Sequence, residues 1–599
     1  MPRINSQDKP SDVKGTIKKL LSYVSQYKAS FIIIFIVAIL STIFSILGPK
    51  ILGNATQELY SGLLAKVGGT GGINFQAIYS ILLFLLTLYL LSAIFSYIES
   101  WIMANVSKKI TYDLRKKMSE KIKRLPMKYF DSTTNGETLS IITNDIDTLG
   151  MSLDQSSVTV VTTIVTIVGI FVMMCTINIA LALFTALVLP VAGVFVGFIV
   201  KHSQKYFENQ QNYLGHVNSE VEEMLSGYTV VKAFNAEEKM LEKFESDNQE
   251  LYRNAWKSQF ISGMMHPIMN FVGNLNYVAI AILGAYFVIE GKINVGNIQS
   301  FIQYSKNFTH PIGQLAQIMA QFQSMLAASE RIFKFLDEEE EKEFQAKPID
   351  IESLKGNVEF SKVKFGYKEN HPIIENFNLK VKEGEKVAIV GPTGAGKTTI
   401  VKLLMRFYKL NSGVIRLDGQ DISTLDKQQY RHAFGMVLQD TWLFSGTVME
   451  NLAYGNLEAS EEEVKNAAKL AHVDHFIETL PKGYQTELNE DSENISSGQK
   501  QLLTIARAIL ANPKVMILDE ATSNVDTRTE ELIQKAMDEL MKGRTSFIIA
   551  HRLSTIKNAD KILVLNHGDI VEVGTHDQLL KKKGFYAELY NSQFESLTK

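Results

Sequence analysis

Long apolar runs crowd the first half of the chain and are absent from the second. Six stretches, near 30–52, 77–103, 157–178, 180–200, 265–289 and 295–320, are dominated by Ile, Leu, Val, Phe and Ala. A helix needs roughly 20 residues to cross ~30 Å of hydrocarbon, so these stretches predict six membrane-spanning helices. The last two carry more polar residues. That suits helices with one face toward protein or a water-filled cavity, because unpaired polar groups in lipid are costly. An even number of spans keeps both ends of this half on one side.

Cations decide which side. Lys108, Lys109, Arg115, Lys116, Lys117, Lys121, Lys123 and Arg124 follow the second span, and Lys201, Lys205, Lys232 and Lys239 follow the fourth. The opposite loops, around Gly68 to Gly72, Asn178 and Glu290 to Asn294, carry little beyond Lys66 and Lys292. The excess of Lys and Arg marks the cytoplasmic side, which is also the side of the N-terminus. The two inside segments, 104–156 and 201–262, exceed what loops between membrane helices require, so they are expected to be helical extensions. Each has a plausible corner, at Asp131 to Glu137 and at Ser226 to Thr229, where Gly136 and Gly227 permit a tight turn. From spacing alone, coupling elements and plain solvated hairpins both remain open.

Beyond Arg331 the pattern changes. The acidic run Asp337 to Glu341 reads as a solvated linker. From about Leu354, short β-rich runs such as Lys386 to Val390 and Val515 to Leu518 alternate with helical patterns, which predicts an α/β domain with buried strands. A chain of 599 residues is too long for a single core, in keeping with two domains. A net charge of -3 leaves no basic excess for a phosphodiester backbone, so no nucleic-acid partner is expected. The single cysteine, Cys175, rules out an intramolecular disulfide framework and reads as a small buried hydrophobe. The region from Met1 to Lys28 lacks a short apolar core followed by small residues, so no cleaved signal peptide is expected.

Chemistry enters with the strand Lys386 to Val390, which runs into Gly391, Pro392, Thr393, Gly394, Ala395, Gly396, Lys397, Thr398 and Thr399. This is G-x-x-x-x-G-K-[ST] between a strand and an apolar helix, a phosphate loop. Glycines let the backbone close round phosphate oxygens, the helix N-terminus supplies positive potential, Lys397 reaches the outer phosphates and Thr398 can ligate Mg²⁺. ATP and Mg²⁺ are the expected cofactors. The apolar strand Val515 to Leu518 ends in Asp519 and Glu520. Behind a phosphate loop, such a pair assigns Asp519 to the metal and Glu520 to polarising the attacking water.

Asn494-Ile-Ser-Ser-Gly-Gln499 precedes that strand and His551 follows it. With these motifs in this order, the chain resembles an ATP-binding cassette (ABC) exporter half-transporter of the multidrug type from Thr16 to its C-terminus. The resemblance implies an α-helical six-span transmembrane domain (type I ABC exporter fold) fused to an α/β P-loop NTPase nucleotide-binding domain. Its boundaries would be a cytoplasmic segment at 1–29, the transmembrane domain at 30–325, a linker at 326–353 and the nucleotide-binding domain at 354–599. It further implies that Tyr367 stacks on adenine and that Gln439 senses Mg²⁺. Ser496, Ser497, Gly498 and Gln499 would form the signature facing the γ-phosphate held by a second half-transporter. Asp526 would lie in the loop at the dimer interface, His551 in the switch that touches the γ-phosphate, and the two inside corners would become coupling helices. The implied setting is a bacterial plasma membrane, with the nucleotide-binding domain and both termini cytoplasmic.

The signature of the family usually reads Leu-Ser-Gly-Gly-Gln, whereas Ser497 stands at its third position here, and Asn489 to Asn494 lack the usual Gly-Glu-Arg-Gly string. Glu520, Gln439 and His551 keep the hydrolytic pattern. That combination resembles the competent subunit of a heterodimeric exporter, although a homodimer that tolerates Ser stays open. Substrate contacts are expected on the later spans, where Asn270, Asn274, Asn276, Gln303, Lys306 and Asn307 interrupt aromatic and aliphatic sequence. Amides bonding helix to helix are the simpler account of any one of them. The expected cargo is amphiphilic or hydrophobic. A lipid flippase or peptide exporter of the same fold is the alternative, and a soluble ABC ATPase acting on nucleic acid or ribosomes is the alternative from another class.

Overall fold

A computed structural model describes residues 12–341, 347–368, 371–439, 441–489, 494–519, 525–550 and 553–594. The chain forms two compact units. One comprises the chain up to Lys123 together with Asn135–Glu338, and the other Arg124–Thr134 together with the chain from Glu339 onward.

The first unit is entirely helical. After α1 (Val13–Val24) come α2 (Lys28–Val67) and α3 (Phe75–Ile122). The chain then makes a short helix, α4 (Met127–Ser132), which belongs to the second unit, and returns at α5 (Asn135–Ser140). A π-helical turn at Ile141–Asp145 leads into α6 (Ile146–Ile177), followed by α7 (Ile179–Ser226), α8 (Tyr228–Ala233), α9 (Glu237–Gly263), α10 (Met265–Ile289) and α11 (Val295–Asp337). All six apolar stretches fall on helices. Among the described residues, four helical segments are long and apolar enough to cross a membrane: Val13–Val67, Phe75–Ile122, Asn135–Ile177 and Glu237–Ile289.

Packing within this unit follows from small residues and freed carbonyls. A Cβ on Gly296 would lie 2.0 Å from the carbonyl oxygen of Gly53, so α11 and α2 meet backbone to backbone only because both positions are glycine. Pro49 interrupts the hydrogen-bond ladder of α2. Beside it, Tyr304 donates to Ile46 O at 2.9 Å and Ser300 to Pro49 O at 2.9 Å. Where α6 begins, Arg331 of α11 grips Asp145 with two bonds of 2.8 and 2.6 Å, a bidentate geometry that holds both position and charge.

The second unit contains a six-stranded sheet in the order β12-β11-β3-β10-β9-β6 and a four-stranded antiparallel sheet in the order β2-β1-β4-β5. The strands are β1 (Val358–Phe365), β2 (Ile374–Val381), β3 (Lys386–Val390), β4 (Ser412–Leu417), β5 (Gln420–Asp421), β6 (Phe434–Val437), β7 (Gly446–Thr447), β8 (Glu487–Leu488), β9 (Val515–Asp519), β10 (Thr545–Ile549), β11 (Lys561–Asn566) and β12 (Asp569–Gly574). Helices α12 (Lys397–Leu404), α13 (Lys427–His432), α14 (Val448–Ala453), α15 (Glu461–Leu470), α16 (Asp474–Thr479), α17 (Ser497–Ala511), α18 (Thr527–Met541), α19 (Leu553–Lys557), α20 (His576–Lys582) and α21 (Phe585–Phe594) complete the unit. The large sheet is buried on both faces. Val515 and Ile517 of β9 enter one core while Met516 and Leu518 enter the other, the period-2 pattern of a parallel strand with both faces covered.

Two details differ from the sequence-based expectation. α11 runs unbroken to Asp337, through residues read as linker. The acidic run is paired rather than merely solvated, with Asp337 bonded to Lys19, Glu340 to Arg124 and Glu341 to Lys427. Sequence shows like charges side by side, but Asp337, Glu340 and Glu341 each meet a cation distant along the chain.

Candidate functional site

The parallel strands β3, β10, β9 and β6 all end along one edge of their sheet, where doubly wound α/β folds gather their functional residues. β3 leads directly into the loop 391–396. Gly394 and Gly396 take φ values of +83° and +94°, which side-chain-bearing residues rarely adopt. A Cβ on Gly391 would lie 2.4 Å from Leu565 O on β11. Ala395 turns inward to the core, while Thr393 is exposed and Pro392 half-buried.

Lys397 opens α12, and its Nζ donates to Gly391 O at 2.6 Å and Pro392 O at 3.1 Å. Burial pushes its pKa down, and the nearby carboxylate of Asp519 opposes the shift. A half-buried ammonium held by neutral carbonyls is poised for phosphate oxygens, since charge-assisted hydrogen bonds are roughly twice as strong as neutral ones. Thr398 is exposed at the start of the helix. Thr399 is buried, and its Oγ1 lies 3.4 Å from the Tyr367 hydroxyl. The Tyr367 ring is partly exposed and meets Phe365 and Tyr408 edge-on at 5.1 and 5.0 Å.

Gln439 and Asp519 leave neighbouring strand ends, because β6 pairs with β9 in parallel register with Val437 opposite Leu518. Gln439 is exposed. Glu520 and His551 lie outside the described residues. Thr398, Gln439 and Asp519 offer hydroxyl, amide and carboxylate oxygens, the hard donors that suit Mg²⁺ alongside nucleotide phosphates.

The signature opens α17. Ser496 caps it, accepting from Gln499 N at 3.3 Å while Gln499 Oε1 accepts from Ser496 N at 2.8 Å, a reciprocal capping box. Ser497 is exposed in the first turn, whereas Gly498 is buried. A Cβ at 498 would lie 2.5 Å from Thr529 Cγ2 and 3.0 Å from Val525 Cγ1. The fold therefore demands glycine at 498 and makes no such demand at 497. Asp526 caps α18, accepting from Arg528 N at 3.1 Å and Thr529 N at 3.0 Å. Hydrogen bonds from Thr529 hold its carboxyl below the usual range. No hydrogen bond joins the signature to the phosphate loop among the described residues.

Sequence reasoning missed a cluster beside the phosphate loop. Asp131 of α4 accepts from Lys402 Nζ at 2.9 Å and from the Tyr408 hydroxyl. Lys402 belongs to α12, and its ammonium lies 5.9 Å from the Tyr367 ring centre and 5.8 Å from that of Tyr408. Partial burial pushes the Asp131 carboxyl up, but hydrogen bonds from Tyr408 and Lys402 outweigh it, so its pKa falls below the ordinary value. The sequence marks Asp131 as the start of a corner, at Asp131 to Glu137, but not its partners Lys402 and Tyr408. The corner helices themselves begin at Met127 and Tyr228.

In the membrane unit, Asn276 Nδ2 donates to Ser305 Oγ and Lys306 lies over the Tyr277 ring at 5.8 Å. These groups join α10 to α11 or stay on their faces. Of the amides and lysine expected at the substrate, Asn307 alone among the described residues lines a cavity whose walls come largely from α2, α3 and α6.

A phosphate loop on a parallel sheet, with carboxylate and amide at neighbouring strand ends and apolar helices ahead of it, defines an ATPase joined to a membrane domain. The ABC transporter transmembrane region matches residues 31–312 and the ABC transporter domain matches residues 374–523. The chain is 40% identical over 587 residues to the uncharacterized ABC transporter ATP-binding protein YfiC of Bacillus subtilis, covering 98% of this chain and 96% of that one. It is 42% identical over 609 residues to the fatty acid ABC transporter ATP-binding/permease protein of Mycobacterium tuberculosis, covering 96% of each. Against the putative multidrug export ATP-binding/permease protein YgaD of Bacillus subtilis, identity is 32% over 581 residues, covering 97% of this chain and 99% of that one. The chain belongs to the ABC transporter family. It is a membrane-embedded half-transporter that works as a dimer, binds ATP and couples its hydrolysis to export.

Proposed function

We propose that this half-transporter exports amphiphilic compounds across the bacterial plasma membrane, with its nucleotide-binding unit and termini in the cytoplasm. The bond from Asp131 to Lys402 carries the coupling side of the proposal, because it ties a corner between membrane helices to the helix that opens with the phosphate-loop lysine. The names of two relatives, fatty acid transporter and multidrug exporter, share a cargo with an apolar body. The excess of Lys and Arg on the inside segments supports the orientation.

In this scheme the backbone of Gly391–Thr399 cradles the phosphates, Lys397 holds their outer oxygens and Tyr367 stacks on adenine. Thr398, Asp519 and Gln439 hold Mg²⁺, which supplies charge neutralisation at the phosphates when bound. Glu520 orients the attacking water, and His551 and the partner's signature contact the γ-phosphate. The nucleotide would release the Lys397 ammonium from the carbonyls of Gly391 and Pro392, and the change at α12 would reach the membrane helices through Lys402 and Asp131. Reconstituting the chain with its partner and comparing ATP-driven transport of a dye panel for the parent and Glu520→Gln tests the assignment. The variant should bind ATP without turnover, and unchanged hydrolysis would remove Glu520 from its role.

The partner is proposed to be a different subunit. Ser497 puts a hydroxymethyl group where the partner's phosphates approach, while the hydrolytic residues of this chain are intact. Purifying the chain alone provides the check: a stable homodimer with vigorous substrate-stimulated hydrolysis would refute a heterodimer.

A further inference from the structure

The membrane unit contains an open cavity of about 820 Å³, a size that suits drug-like molecules. Its walls are Ala38 to Pro49 of α2, Tyr89 to Ser100 of α3 and Asp154 to Ile170 of α6, with a contribution from α11. About half of its lining residues carry hydroxyls. Some of these hydroxyls serve packing, as where Ser41 donates to Ser92 O at 2.9 Å. Ser45, Ser96, Ser100, Thr163 and Thr166 make no hydrogen bond among the described residues and are available to a ligand.

The charge of the cavity is one-sided. Glu99 and Asp154 line it, and no Lys, Arg or His does among the described residues. Neither carboxylate has an ion pair or hydrogen bond among the described residues. Glu99 falls within the apolar stretch 77–103, where an ionisable group is costly and marks a transport path by default. Tyr89 adds a partly exposed ring to the same wall, and an aromatic face attracts organic cations.

We propose that this cavity receives the transported compound and selects lipophilic cations, with Glu99 and Asp154 as their counter-charges, a selection that rests on the export function proposed above. A cation would gain two carboxylates that have no partner among the described residues of this chain. A fatty-acid anion would bring a third negative charge beside these two carboxylates, with no cation among the described lining residues in return. The unpaired hydroxyls bond polar substituents without fixing one orientation, while the aliphatic parts of Ala38, Ile46, Val158 and Ile170 accept an apolar body.

The full transporter, with the subunit that co-purifies with it, is reconstituted in inside-out proteoliposomes and tested with three probes. Tetraphenylphosphonium is the cation, triphenylphosphine oxide the neutral analogue and oleate the anion. ATP-driven uptake is measured for the parent, Glu99→Gln, Asp154→Asn and Glu99→Asp. The parent should favour the cation, and each neutralised carboxylate should raise its half-saturating concentration about tenfold. The neutral analogue should move less than about twofold in the same variants, which shows them to be folded, and Glu99→Asp should stay within about threefold of the parent. Parallel loss of cation and neutral probe, or a parent that prefers oleate, overturns cation selection while leaving export intact. A parent that carries none of the three probes removes the proposed amphiphilic cargo, and the cavity proposal with it.

Discussion

The two corner helices differ in what covers them. α4 is packed into the nucleotide-binding unit of its own chain, with Asp131 tied to Lys402 and Tyr408. α8 and its flanks instead leave Leu225 71%, Tyr228 60%, Val230 60% and Phe234 78% exposed, and the nearest ion pair, Lys232 to Glu237, is local. Contiguous exposed apolar residues on a folded element mark a surface meant for a partner. One corner therefore finds its socket in the same chain, while the other keeps its apolar side chains exposed in the single chain. The contrast sets a corner that is satisfied within its own chain against one that leaves apolar surface for the second subunit of the proposed scheme.

The strongest way to break this contrast is to make the second corner polar. Phe234→Asp together with Val230→Asp should lower transport by about tenfold or more, since losing the burial of one large apolar side chain costs ~1.5–3 kcal/mol. ATP binding, measured by equilibrium titration, should be unchanged. Equal loss of nucleotide affinity would show that α8 serves the fold rather than the partner.

A smaller effect is expected at the first corner. Asp131→Asn and Lys402→Gln, alone and combined, should show a coupling energy of about 1 kcal/mol in thermal unfolding, discounted because Asp131 is partly exposed to screening solvent. Transport per ATP should fall in both single variants. Additive effects would deny that the two side chains act as a pair.

The smallest effect is a pH dependence. The carboxyl of Asp131 has its pKa lowered in the folded chain, so its contribution is fully present above the ordinary carboxylate value, near 3.9. It is lost only as pH falls through the lower, folded-state value. Transport per ATP should therefore be flat from about pH 8 to pH 5 as far as this contact is concerned. A decline across that window that disappears in Asp131→Asn would contradict the assignment.

The phosphate loop and the apolar helices were legible in the sequence because their requirements are local. Gly394 and Gly396 need only their own backbone angles, and a 20-residue apolar stretch declares itself without a partner. The bond from Asp131 to Lys402 spans 271 residues, and nothing local distinguishes that aspartate from any other in a turn. The acidic run at 337–341 misled for the same reason, since its cations lie at Lys19, Arg124 and Lys427. Polar residues on the later spans drew attention to α10 and α11. The hydroxyls of α2, α3 and α6, less conspicuous in hydropathy, form the cavity instead.

Ser497 shows where the boundary falls. Sequence alone marked both 497 and 498 as positions of the signature. Tertiary packing separates them: Gly498 is pressed against Thr529 and Val525, while Ser497 faces outward with room for its side chain. Motif chemistry, the presence of apolar helices and the order of domains follow from residue type and spacing, because backbone geometry and hydrocarbon thickness act on consecutive residues. Which carboxylate meets which cation, which corner is covered and which face holds a cavity were decided only by the fold, because those interactions join residues that the chain keeps far apart.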